Sequence, residues 1–128
     1  HFKYFKLDNL LDKRVFFHPG YFENTIPENK LSQISVLHLD CDLYQSYKVC
    51  FKFLAPKVSN DGLIILDEYN EKKWPGASIA IDEFLKDSDL VLLHSPITAK
   101  HIIVKSTLLN SNSENFNILK NSLQLVKI

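Results

Sequence analysis

An α/β fold, with a mainly parallel sheet and an antiparallel edge, follows from three features of the sequence. Two short apolar segments, residues 35–39 and 63–66, each run straight into acids: Asp40-Cys41-Asp42 after the first, Asp67-Glu68 after the second. Between them the apolar spacing becomes three and four residues at Tyr44, Tyr47, Phe51 and Leu54, which is one face of a helix. Asn60-Asp61-Gly62 then supplies a turn. Strand, helix, turn and strand make a βαβ crossover, whose two strands are parallel.

The remaining elements follow in chain order. Phe2, Phe5, Leu7, Leu10 and Leu11 are irregularly spaced, which suits a short helix or a loop. Residues 14–18 predict a strand that Pro19-Gly20 stops. Thr25 and Pro27 mark a helix or turn start within residues 21–28. Residues 35–39 are short and apolar, as a strand buried on both faces should be. His38, inside that run, is expected to be a satisfied core residue with no catalytic role. Pro56 ends the helix that begins at Tyr44. After Glu68 comes a polar loop holding the only Trp, Trp74. Ala77, Ala80, Ile81, Phe84 and Leu85 then mark a helix starting near Gly76. Residues 90–94 and 101–105 are two further strands. The link between them is too short for a parallel crossover, so they form an antiparallel hairpin. The tail from Ser106 onward is rich in Asn and Ser, with a weak apolar pattern at Leu123, Leu125, Val126 and Ile128.

Composition excludes several classes of function. The chain of 128 residues is one domain and can bury a real core. Its 15 basic and 15 acidic residues balance to zero, so no nucleic acid and no anionic membrane is expected as a partner. No apolar run approaches the roughly 20 residues of a transmembrane helix, and no signal peptide opens the chain. Cys41 and Cys50 make neither a disulfide framework nor a zinc site, which fits reduced thiols in a cytoplasmic protein. There is no Met, and the three glycines, Gly20, Gly62 and Gly76, form no G-x-G loop for a nucleotide. These counts lead to the expectation of a piece of a longer chain whose N-terminal part is absent.

The acids carry the chemistry. Open α/β sheets bind ligands outside the carboxyl ends of their strands. Carboxylates converging there repel one another unless a cation sits among them, and oxygen-only ligation favours a hard ion such as Mg²⁺. Asp40, Asp67 and Glu68 are the expected metal ligands. Asp42 could instead cap the helix that starts just after it. His18, at the end of the first strand candidate, is a weaker member of the same rim. Tyr69, Asn70 and Trp74 lie in the loop beyond Glu68, where an aromatic wall could receive a sugar or aromatic ring. The alternative is a Trp that packs the loop onto the body.

The motifs are specific enough to resemble a family. Val15 to Thr25 (VFFHPGYFENT), Leu37 to Tyr44 (LHLDCDLY) with Ser46-Tyr47, Ile65 to Tyr69 (ILDEY), Trp74 to Ala77 (WPGA) and Ala80 to Phe84 (AIDEF) are similar to the macrocin-type O-methyltransferases. These are class I S-adenosylmethionine enzymes that methylate sugar hydroxyls on natural products. The resemblance implies a Rossmann-like sheet ordered 3-2-1-4-5-7-6 with the last strand antiparallel. On that plan residues 1–128 form a single partial methyltransferase domain holding strands 3 to 7, with residues 106–128 as a C-terminal tail. Strands 1 and 2, which carry the glycine loop and the ribose-gripping acid, are expected to be missing. The resemblance further implies that Asp40, Asp67 and Glu68 hold Mg²⁺, that Asp40 is the general base, and that Gly20, Tyr21 and Phe22 lie near the adenine. The implied partner is a small-molecule glycoside or sugar, and a homo-oligomer is compatible with these patterns.

Other readings of the same residues remain open. Asp40-Cys41-Asp42 resembles the D-x-D of metal-dependent glycosyltransferases, which leaves Asp67-Glu68 and Trp74 unexplained. An aspartyl phosphatase of the haloacid dehalogenase type needs an extra strand between its acidic strands. A catalytically inactive half-domain, acting as a structural or binding module, is the non-enzymatic alternative.

Overall fold

Parallel pairing of β1 (Ile34–Leu39) with β2 (Val58–Leu66) is the spine of the molecule. The computed structural model describes residues 14–109 and 122–126. Within them the order is α1 (Phe22–Thr25), β1, α2 (Tyr44–Phe53), a 3-10 turn (Ala55–Lys57), β2, α3 (Pro75–Leu85), β3 (Leu90–His94), β4 (His101–Lys105), α4 (Ser106–Leu109) and β5 (Gln124–Leu125). The five strands form one sheet ordered β1-β2-β4-β3-β5.

The crossover is as the sequence predicts, and so is the antiparallel β3–β4 hairpin. The balance of the sheet is not. β4 inserts antiparallel between β2 and β3, and β5 pairs antiparallel with β3, so β1–β2 is the one parallel pairing among the described strands. β3 nevertheless points the same way as β1 and β2. Its end at His94 and the start of β4 at His101 therefore join the acidic rim.

Side-chain alternation sorts the two faces. Leu37, Leu39, Ile64, Leu66, Leu92 and Ile103 face one layer, where Tyr47, Cys50 and Phe51 of α2 and Ala77, Ala80 and Ile81 of α3 cover them. Gly76 lets the two helices approach closely: a Cβ there would lie 3.1 Å from Tyr44 Cβ. Phe51 and Phe84 stack at 4.1 Å between ring centroids. On the opposite face Leu93 and Val104 gather Leu63, Val91, Ile102, Leu108, Leu109 and Leu123. β1 has little cover there, and Val36 is 56% exposed.

Several local expectations are corrected. Residues 14–18 form no strand and pair with none of the described strands; Phe16 and Phe17 stand exposed. Asn60-Asp61-Gly62 does not turn the chain before β2 but lies inside it. The pairing register jumps there from Ile34↔Val58 to Val36↔Leu63, so the extra residues are absorbed as a bulge. Gly62 is required by that geometry: a Cβ would come within 2.8 Å of Val58 Cγ1 and 2.9 Å of the Ser35 carbonyl oxygen. Asp42 does not cap α2, whose N-cap is Leu43 with no side-chain bond. The tail contributes α4 and the edge strand β5. The irregular segment 1–13 and Ile128 lie outside the described residues.

Candidate functional site

Both acidic strand ends reach one rim, with the last rung of the β1–β2 ladder carried beyond β2 by a hydrogen bond from Asp67 N to the Leu39 carbonyl. From that rung the two successive acids of β2 diverge. Asp67 keeps the alternation of Leu63 and Ile65, away from the helices, whereas Glu68 keeps that of Ile64 and Leu66, toward them.

Glu68 is therefore buried, at 4% exposure. Its carboxylate accepts a short hydrogen bond from the hydroxyl of Tyr47, itself fully buried on α2, and one from the Cys41 backbone N–H at 3.3 Å. Burial pushes the Glu68 carboxyl above its ordinary value, and the neighbouring Asp40 carboxylate adds to the rise against the Tyr47 bond. The same burial, with Glu68 close by, pushes the Tyr47 hydroxyl up and keeps it protonated as a donor.

Opposite Glu68, the chain leaves β1 through Asp40, Cys41 and Asp42. Asp42 sits at φ 59°, a left-handed conformation that Asp tolerates better than most residues. The turn brings one oxygen each of Asp40, Asp42 and Glu68 within 4.8 Å of one another. Two oxygens on opposite sides of Mg²⁺ stand about 4.2 Å apart, given bonds of ~2.1 Å. All the donors of the three carboxylates are hard oxygens, the ligand type that a divalent cation such as Mg²⁺ takes. The residues fit a divalent cation.

The set differs from the expected one. Asp42 takes part, while Asp67 belongs to a separate group: its Oδ1 is 2.8 Å from His38 Nε2 and its Oδ2 is 2.6 Å from Lys100 Nζ. Lys100 first, then His38, holds the Asp67 carboxyl below the usual carboxylate range. His38 is a half-exposed partner of Asp67 rather than a buried core residue, because its position in β1 falls on the uncovered face. Only the fold reveals Lys100, which the hairpin between β3 and β4 carries to the rim.

Behind the acids lie two free cysteines, Cys41 half-buried and Cys50 buried. The neighbouring Cys50 thiol, then burial, pushes the Cys41 thiol up.

The expected aromatic wall is mostly core. Tyr69 is buried, donates to Asp82 Oδ1 at 2.9 Å, and meets His101 edge-on at 4.8 Å. Burial, with Asp82 next, pushes its hydroxyl up to about 12. Trp74 is the N-cap of α3 and packs, half-buried, against the main core, with Lys73 Nζ 4.7 Å above its ring. Asn70 is exposed at φ 64°, its N–H donating to Ser78 Oγ. On the N-terminal segment, Gly20 has φ 142°, Tyr21 is largely exposed and Phe22 opens α1; His18 is exposed in irregular chain.

The family model described as Macrocin-O-methyltransferase (TylF) matches residues 1–120. The chain belongs to the macrocin O-methyltransferase family. A member from Streptomyces niveus, demethyldecarbamoylnovobiocin O-methyltransferase, is 37% identical over 86 residues, covering 67% of this chain and 32% of that protein. The 8-demethyl-8-(2,3-dimethoxy-alpha-L-rhamnosyl)-tetracenomycin-C 4'-O-methyltransferase of Streptomyces olivaceus is 38% identical over 65 residues, 51% of this chain and 25% of that one. The solved structure of the O-methyltransferase NovP superposes with a TM-score of 0.65 at 30% identity, covering 80% of this chain and 42% of that chain. The chain therefore spans about a third of the length of the first of these macrocin-family relatives. No helix among the described residues is long and apolar enough to cross a membrane.

Proposed function

We propose that this chain carries the metal-binding and proton-accepting part of an S-adenosylmethionine- and Mg²⁺-dependent O-methyltransferase acting on a sugar hydroxyl of a natural product. The observation that carries the reading is the convergence of Asp40, Asp42 and Glu68 on one point at the rim, in a chain of this family. The sheet order β1-β2-β4-β3 matches strands 4-5-7-6 of the class I methyltransferase plan, which supports a Rossmann-like arrangement. On that plan the glycine loop and ribose-binding acid for the methionine and ribose ends of the cofactor lie in strands 1 and 2, which are not among the described strands. Gly20, Tyr21 and Phe22 would approach the adenine from the segment ahead of β1. The setting is cytoplasmic.

A sugar hydroxyl is about as weak an acid as water, with a pKa of ~15.7, so it needs activation at neutral pH. A divalent ion held by Asp40, Asp42 and Glu68 would supply Lewis acidity and a fixed template for the hydroxyl oxygen, and S-adenosylmethionine would supply the sulfonium methyl group. The protein's own residues do the rest. Glu68, clamped by Tyr47 and the Cys41 N–H, fixes the buried corner of the site. Asp40, exposed at the rim, accepts the hydroxyl proton as the oxygen gains the methyl group. Holding nucleophile and methyl in line accounts for much of the acceleration. Tyr69, Asn70 and Trp74, in the loop after β2, would contact the glycoside.

The test is methyl transfer from S-adenosylmethionine to a panel of deoxysugar glycosides, with Mg²⁺ and after full chelation by EDTA. Transfer that persists unchanged under chelation contradicts the metal-dependent reading.

A further inference from the structure

We propose that His94 and His101 form a second metal site on the rim, a pair of imidazoles that takes a divalent ion of the zinc class. Its donors are nitrogens, whereas those of Asp40, Asp42 and Glu68 are oxygens. The inference stands apart from the methyl-transfer reading and needs none of its residues.

The sheet places the pair. His94 is the last residue of β3 and His101 the first of β4, and they face each other on one antiparallel rung. Their alternation follows that of Leu92 and Ile103, so both imidazoles lie on the helix-covered side of the sheet. The ring centroids stand 4.8 Å apart, with the planes inclined at 38°. Two imidazoles bound to one zinc ion at ~2.1 Å, at a roughly tetrahedral angle, have their centres about 5 Å apart. The ladder thus holds the two rings at a chelating separation before any ion arrives.

Their nitrogens are not otherwise engaged. His101 is only 9% exposed, a depth at which polar groups ordinarily have a hydrogen-bond partner. Yet neither imidazole hydrogen-bonds to any group among the described residues. No side-chain nitrogen there is both sealed from solvent and unpartnered, so those of His101 open to the surface, where an ion can reach them. The ring of Tyr69 meets His101 edge-on at 4.8 Å, and its hydroxyl is spent on Asp82. Tyr69 therefore supplies packing and no competing hydrogen bond. Burial, and then His94, lowers the pKa of His101, which keeps it in the neutral form that binds metals.

Donor type selects the ion. Imidazole suits zinc, copper and nickel, while carboxylate suits Mg²⁺, so the two sites on this rim sort cations between them. An ion held by His94 and His101 ties the end of β3 to the start of β4, with water completing its coordination.

The test is Zn²⁺ titration of the full chain in excess Mg²⁺, with affinity from calorimetry and imidazole ring protons followed by nuclear magnetic resonance. The ring signals of His94 and His101 should shift together over the first equivalent, and those of His38 should stay. Losing even an outer-shell partner costs about 10–100-fold in metal affinity. His94→Gln and His101→Gln should therefore each weaken Zn²⁺ binding about tenfold or more, with His38→Gln and Cys41→Ser unchanged. His94 is half-buried, so His94→Gln decides the matter even if His101→Gln fails to fold. Equal affinity in His94→Gln overturns the proposal, as does zinc binding that Cys41→Ser removes or that shifts other histidines instead. Absence of Zn²⁺ binding also overturns it and leaves the Mg²⁺ reading untouched.

Discussion

The hydroxyl of Tyr47 on α2 donates to the buried carboxylate of Glu68 at the end of β2, tying the helix of the crossover to its second strand. The same hydroxyl lies 3.3 Å from the Leu39 carbonyl at the end of β1. Structure and site share this one bond. Tyr47→Phe keeps the packing but leaves a buried carboxylate short of a donor, which costs about 1–3 kcal/mol. Urea unfolding should show a lower midpoint with unchanged slope. A midpoint equal to that of the unaltered protein would mean that Glu68 finds another partner.

Asp40 is the proton acceptor in the proposed reaction, so Asp40→Asn should remove base function while keeping an oxygen at the same place. Loss of general-base catalysis costs about 10²–10⁴-fold in rate. Turnover in the methyl-transfer assay should fall by that amount with little change in the apparent affinity for the sugar. Retained turnover would assign the base elsewhere.

His101 gives the fold a pH dependence. Burial first, and then the facing His94 across the β3–β4 ladder, lowers its pKa below the ordinary 6.5. The folded chain thus binds this proton less readily than the unfolded chain. Its contribution is complete above pH 6.5 and is lost as pH falls through the lowered native value. Denaturation midpoints should decline as pH falls below 6.5. His101→Phe, which preserves the edge-on contact with Tyr69, should flatten that decline; an equally steep curve in the variant would place the sensitivity at another group.

Gly62 lies where the β2 bulge passes closest to β1. Gly62→Ala would force its new methyl against Val58 and the Ser35 carbonyl, contacts of 2.8 and 2.9 Å that must open. Overpacking of this kind costs about 1–3 kcal/mol. Calorimetry should record a lower melting temperature, and an unshifted one would mean that the bulge widens at little cost.

The sequence by itself determined the linear grammar: β1, α2, β2, α3 and the β3–β4 hairpin all lie close to where periodicity, Pro56 and the short hairpin link put them. It also determined that acids tip two strands, and its motifs carry the family likeness that the comparisons bear out. Local patterning did not give every pairing. Residues 14–18 have strand-like composition but no neighbouring ladder, and Asn60-Asp61-Gly62 reads as a turn whether it ends a strand or bulges one. Only the tertiary structure decided which carboxylates meet. Asp67 and Glu68 are adjacent in sequence, yet alternation along an extended chain sends them to opposite faces of the sheet. One goes to a lysine 33 residues further along, the other to a buried tyrosine, and the three acids whose oxygens lie within 4.8 Å of one another are Asp40, Asp42 and Glu68.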